Sequence, residues 1–194
     1  ISTDYVFDGK GHRPYLEDDE THPVSAYAES KCLGEQVIRA SAARALILRT
    51  SWLYSSFGNN FVKTMIRLAK EQGWIKVVSD QVGSPTYAGD LAGVILDILE
   101  SHPAPEGVEI YNYSNEGVAS WYDFAKAIIE FSGITCEVNP IETKDFPTLA
   151  ARPFYSVFNK SKIKSKYHTE IPYWRDSLRR CIEKITDDEE RITN

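Results

Sequence analysis

The 194 residues hold three cysteines, Cys32, Cys136 and Cys181, odd in number and far apart. That excludes a disulfide framework and a finger-type metal site, and reads as reduced thiols of an intracellular protein. His12, His22, His102 and His168 are isolated, so no metal-ligand constellation is expected. No apolar run approaches the roughly 18 residues needed to cross a bilayer, so no membrane role is expected and the cytoplasm is the expected location. Cationic charge is also in deficit. Lys and Arg total 22 against 28 Asp and Glu, a net charge of −6, which argues against a nucleic-acid partner. The most consequential absence is a G-x-G-x-x-G loop after a strand, the usual cradle for a dinucleotide pyrophosphate.

With 42% hydrophobic residues the chain can bury a sizeable core. Apolar strand-like runs alternate with amphipathic helical ones, which defines an α/β architecture. Strands are expected over Ile1–Phe7, Ala45–Thr50, Ile75–Ser79, Val108–Tyr113 and Thr135–Ile141. Helices are expected over Ser25–Ala43, Asn60–Gln72, Tyr87–Ser101, Ser120–Ser132, Asn159–Lys166 and Trp174–Thr186. Ser120 and Asp123 have capping-box spacing, and Gly73 and Gly133 stop their helices. Gly34, a poor helix former, marks an expected close approach by a neighbour. The Asp8–Pro23 loop carries Asp8, Glu17, Asp18, Asp19 and Glu20, whose charges read as solvated. Asp80–Thr86 is a Gly/Pro loop. Residues 187–194 would form an acidic tail.

Within the first of these helices, Tyr27 and Lys31 stand four residues apart, on one helical face. An ammonium beside a phenol favours the phenolate, bringing an acid of reference pKa about 10 toward working pH. Such a pair can give a proton to a carbonyl oxygen or take one from an alcohol. The same spacing also occurs in ordinary helices with no chemistry. Here it is flanked by two strand ends, at Thr3 and at Thr50-Ser51-Trp52, and open α/β sheets bind ligands at the carboxyl ends of their strands. Thr3 could hold the same oxygen as Tyr27, or simply satisfy a backbone group.

The stretches STDYVFDG, PVSAYAESKCLGE, LRTSWLY, GNNF and DQVGSPT, in that order, resemble the extended short-chain dehydrogenase/reductase superfamily. Within it they are most similar to the dTDP-4-dehydrorhamnose reductases. The resemblance runs from Ile1 to about Lys184. It implies part of a doubly wound, Rossmann-like parallel sheet with the Tyr/Lys helix over residues 1–79, and a small, mainly substrate-binding α/β lobe over residues 80–186. Roughly a hundred residues, the first half of such a fold, would then precede Ile1; the other reading is a small domain complete in itself. The implied activity is reduction of the 4-keto group of dTDP-4-dehydro-L-rhamnose by NADPH, with NADH as the other carrier to consider. Tyr27 would be the proton donor, Thr3 the second donor, and Lys31 the residue that tunes Tyr27 and bonds the nicotinamide ribose. Ser2, Thr50 and Ser51 are candidates for the cofactor side. Tyr5 and Trp52 would face the deoxysugar, unless they are core aromatics. Asn59 or Asn60 would hold the diphosphate, unless Asn60 only caps its helix. Gln81, Pro85 and Thr86 belong to the nucleotide-side loop of the family, and Arg152 is a candidate phosphate contact.

The resemblance also points to a Mg-linked dimer contact through an acidic residue after that Pro-Thr. This chain reads Tyr87-Ala88-Gly89-Asp90, with glycine at that place, which speaks against Mg although not against a homodimer. Two other readings remain open: an epimerase or 4,6-dehydratase of the superfamily, and a reductase-like regulatory subunit without turnover. For a dehydratase, Thr3-Asp4 lacks the expected Asp-Glu pair.

Overall fold

The computed structural model describes residues 1–148 and 152–193. The chain opens with strand β1 (Ser2–Thr3), then helix α1 (Ala26–Ser41) and strand β2 (Ala45–Thr50). A short β3 (Leu53–Tyr54) precedes α2 (Phe61–Gln72) and β4 (Trp74–Val78). Two-residue strands β5 (Val82–Gly83) and β6 (Thr86–Tyr87) lead into α3 (Ala88–Ser101) and β7 (Val108–Asn112). Strand β8 (Ala119–Ser120), α4 (Trp121–Ser132) and β9 (Glu137–Ile141) follow, and α5 (Ser161–Tyr167) and α6 (Trp174–Thr193) complete the order.

The main sheet is parallel, in the order β1-β2-β7. Strand β2 sits at its centre because Ala45–Leu48 is a continuous apolar run, suited to burial on both faces. Thr3 pairs with Thr50 in register, so the two strand ends lie side by side. A second parallel pair joins β4 to β9, and α2, α4 and α6 pack over it in the largest apolar cluster. The chain passes between these parts more than once: β7 returns to the main sheet while β4 pairs into the lobe. A cut at residues 79 and 80 would therefore divide both.

Local chemistry sets the helix ends. The Ser25 hydroxyl accepts from the Ala28 N–H, the Asn60 side chain accepts from Lys63 N, and Ser120 and Asp123 close a reciprocal capping box. Gly73 stops α2 in the left-handed region at φ 72°. Along α6, Trp174, Leu178, Cys181, Ile182 and Ile185 form one buried stripe. Each fully buried Leu or Ile there contributes about 1.5–3 kcal/mol.

Five expectations are corrected. The Ile1–Phe7 segment is strand only at Ser2–Thr3. The Thr3 hydroxyl then accepts from Tyr5 N and turns Asp4–Val6 into a 3-10 helix. Glu17 is not solvated: it is buried, and its carboxylate accepts from Asn112 N at 3.0 Å. Gly34 has open space where a Cβ would go. The loop after Asp80 contains β5 and β6 rather than running irregular throughout. The last helix continues past Thr186 to Thr193.

Gly117 is where glycine is required. Its φ is +94°, and a Cβ would lie 2.4 Å from Tyr173 Cε2. The neighbouring Glu116 exchanges backbone hydrogen bonds with Pro172 and Trp174, docking the start of α6. Gly117→Ala is expected to destabilise the fold by about 1–3 kcal/mol from the backbone alone, and crowding against Tyr173 adds to it. Urea unfolding checks this; an unchanged midpoint would refute it.

Candidate active site

At the carboxyl edge of the main sheet, a cleft of about 340 Å³ collects Thr3, Tyr5, Tyr27 and Lys31. Ser2, Thr50, Ser51 and Trp52 form the rest of its sheet side. Each reaches it for a structural reason. β1 and β2 end together at Thr3 and Thr50. Ser25 starts α1 beside them, which puts Tyr27 in the first turn and Lys31 one turn on. Trp52 is turned by a positive φ of 46°, rare for a bulky residue.

Tyr27 is 56% exposed toward this cleft, and its ring stands edge-on to Tyr5 at 6.0 Å. The Lys31 ammonium donates to the Ile1 carbonyl at 2.7 Å, leaving two of its three N–H donors for other partners. Thr3 donates to Asp4 Oδ1 at 3.0 Å. Burial raises the Tyr5 phenol; the Asp4 charge adds to this and Arg152 opposes it. Burial also pushes the Asp4 carboxyl up to about 6.

Ser2 and Ser51 border the cleft with hydroxyls already committed. Ser2 Oγ donates to Glu35 Oε1 at 2.5 Å and Ser51 Oγ to the Ser84 carbonyl at 2.8 Å. Thr50 Oγ1 is buried without a partner, so it is the strand-end hydroxyl still available to a ligand.

A second cleft lies beside the first, lined by Phe61, Lys76, Gln81, Phe146 and Arg152. Gln81 Nε2 also reaches Thr143 Oγ1 at 3.0 Å. Trp121, the first residue of α4, borders both clefts and stacks on Trp52 with ring centroids 3.7 Å apart and planes 8° from parallel. Nothing local in the sequence singles out Trp121, because its partner is 69 positions away.

The remaining expected contacts do not reach a cleft. Pro85 and Thr86 are buried and line neither; Thr86 N instead donates to the Trp52 carbonyl at 3.1 Å. Asn60 is used as the cap of α2, its amide also donating to the Ser55 carbonyl at 2.7 Å, and Asn59 is exposed and borders neither cleft. The glycine of DQVGSPT supports the first cleft from below: a Cβ on Gly83 would sit 2.6 Å from Trp52 Cε2. Asp90 is likewise spoken for, holding Arg180, Ser177 and Asn115 at 2.6, 2.5 and 2.7 Å.

A Tyr/Lys helix beside the carboxyl ends of parallel strands, with a second cleft alongside, is the architecture of the short-chain dehydrogenase/reductase class. The chain belongs to the RmlD substrate binding domain family, which matches residues 1–187. It is 44% identical over 184 residues to the spore coat polysaccharide biosynthesis protein SpsK of Bacillus subtilis, covering 95% of this chain and 63% of that protein. It is 42% identical over 188 residues to the dTDP-4-dehydrorhamnose reductase of Aggregatibacter actinomycetemcomitans, covering 92% and 64%. The dTDP-4-dehydrorhamnose reductase of Bacillus anthracis, solved in complex with NADP, superposes with a TM-score of 0.88 at 40% identity, covering 94% and 64%. The chain thus spans a little under two thirds of the length of these relatives.

Proposed function

We propose that these residues form the catalytic and substrate-binding part of an NADPH-dependent dTDP-4-dehydrorhamnose reductase. The observation that carries this reading is the convergence of Thr3, Tyr27 and Lys31 on one cleft, next to a second cleft holding Arg152. The first has the size and groups for a keto sugar. The second suits a thymidine diphosphate, with aromatic Phe61 and Trp121, the Gln81 amide and a guanidinium able to bind phosphate bidentately. The family membership and the NADP bound to the Bacillus anthracis relative support it.

NADPH, when bound, supplies the hydride for the sugar's C4. The residues present fit such a group: Lys31 has donors left for a ribose, and Thr50 Oγ1 is an unpaired buried hydroxyl at the strand end. Tyr27 donates its phenolic proton to the C4 oxygen as negative charge develops there. Lys31, one turn away, stabilises the charge left on the phenol oxygen. Tyr5 and Trp52 give the deoxysugar apolar walls. The setting is the cytoplasm, supported by three thiols with no disulfide among them.

Binding tests the nucleotide side. The 194 residues alone, lacking a Gly-rich phosphate cradle, are expected to bind dTDP in calorimetry and to hold NADPH only weakly. Arg152→Ala should weaken dTDP about tenfold or more, the worth of a charge-assisted hydrogen bond. Tight NADPH binding, or dTDP affinity indifferent to Arg152, would overturn this assignment of the second cleft.

A further inference from the structure

Among the described residues the one acidic side chain lining the cleft, which also holds the Lys31 ammonium, is Asp4. It is 2% exposed and borders the cleft next to Thr3. Oδ1 accepts the Thr3 hydroxyl at 3.0 Å, while Oδ2 is buried with no partner. Around it stand Thr3 and Tyr5 from its own segment and Ser156, whose buried hydroxyl has no other partner and, like that of Thr3, favours the charged carboxylate. Of the charged and titratable groups around the cleft, Tyr27 and Arg152 act on Tyr5, the Lys31 ammonium is held by the Ile1 carbonyl, and none of them shifts Asp4. A buried carboxyl of this kind keeps its proton to higher pH than an exposed one, since water is not there to favour the charged form.

The consequence falls on Thr3. Its hydroxyl has one proton and two lone pairs. In the structure the proton is given to Asp4 and one lone pair takes the Tyr5 N–H at 3.3 Å. What remains for the cleft is a lone pair. A lone pair suits an alcohol, which donates, and not a ketone, which only accepts.

We propose that Asp4 is a positioning residue whose protonation decides whether Thr3 offers the cleft a proton or a lone pair. With Asp4 ionised, Thr3 points its proton inward and accepts from the substrate. With Asp4 protonated, the carboxyl O–H donates to Thr3 Oγ1, and the Thr3 proton turns to the keto oxygen as a second donor beside Tyr27. No proton passes from Asp4 to product; the proton the alcohol gains still comes from Tyr27. A ketone therefore favours protonated Asp4, and the alcohol product favours the ionised form. The proposal rests on the reductase reading for its substrate, but Asp4–Thr3 coupling is measurable without turnover.

The first measurement is the titration of the Asp4 carboxyl by NMR in the full-length protein, without substrate. The midpoint is expected at about 6. Thr3→Val should move it upward, because the hydrogen bond from Thr3 favours the ionised form, and Thr3→Ser should restore it. A midpoint unmoved by Thr3→Val would overturn the coupling. The second measurement is kcat/KM for ketone reduction by the full-length protein against pH. The ratio of wild type to the isosteric Asp4→Asn should fall by about tenfold as pH rises through the Asp4 midpoint, the worth of one donor to the reacting oxygen. In a Thr3→Val background the corresponding ratio should stay flat. A flat ratio in the wild-type background, or the same slope without Thr3, would contradict the proposal. Absence of any turnover would strike the reductase reading and leave the NMR result standing by itself.

Discussion

Tyr27→Phe is expected to lower turnover in the full-length protein by about 10²–10⁴-fold, the range for loss of a positioned proton donor, with nucleotide-sugar affinity changed by only a few fold. Phenylalanine keeps the ring, and with it the edge-on contact with Tyr5 at 6.0 Å. It removes only the O–H, which acts when charge develops on the C4 oxygen and not when the substrate binds. A group that acts in the transition state and not in the ground state should lower kcat and kcat/KM together. Steady-state kinetics separates this from the alternative. A variant with unchanged kcat and a raised KM would make Tyr27 a binding residue only.

Arg49→Met is expected to cost about 3–5 kcal/mol of folding stability, because it strands a buried carboxylate. Arg49 and Glu35 are 2% and 5% exposed. They pair in bidentate fashion at 3.0 and 2.7 Å, and the Arg49 guanidinium also donates to the Glu17 carbonyl at 3.1 Å. Ser2 completes the set through Glu35. This lattice ties α1 to β1 and β2 two turns below Tyr27, so it fixes how the Tyr/Lys helix meets the strand ends. Replacing both partners with Arg49→Met/Glu35→Leu should recover much of the loss, since it is one unpaired charge that is costly. Urea unfolding of the three variants decides it. A single variant within about 1 kcal/mol of wild type would show that the pair is not needed, in line with an ordinary surface substitution.

The features legible in the sequence are those written over a few neighbouring residues. Ser120 and Asp123 close a capping box across one helical turn, and Asn60 and Gly73 bracket α2 with local backbone chemistry. Tyr27 and Lys31 share a face because four residues make about one turn, and the strand of Ala45–Thr50 shows in its unbroken apolar run. The unread features are long-range pairings. Glu35 looks like any exposed helical glutamate until Arg49 is placed beneath it. Glu17 sits in an acidic stretch that reads as solvated, yet the β7 backbone takes it inside. Trp121 has the pattern of a core aromatic, and only its stack on Trp52 makes it the wall between two clefts. Asp4 was legible as a residue next to Thr3, but its lack of a counter-charge is a property of everything packed around it. Pro85 and Thr86 lie in a motif readable in sequence, but their burial, with Thr86 N bonded to the Trp52 carbonyl at 3.1 Å, is again set by distant partners.

The reaction proposed for the Thr3–Tyr27–Lys31 cleft is reduction of a nucleotide-linked keto sugar. The most direct measurement offers the full-length protein dTDP-4-dehydro-L-rhamnose with NADPH and counts both products. One NADPH should be oxidised per dTDP-L-rhamnose formed, with no oxidation when the ketone is omitted. Tight binding of the sugar nucleotide with no NADPH consumed would contradict it and leave a binding protein on a reductase scaffold.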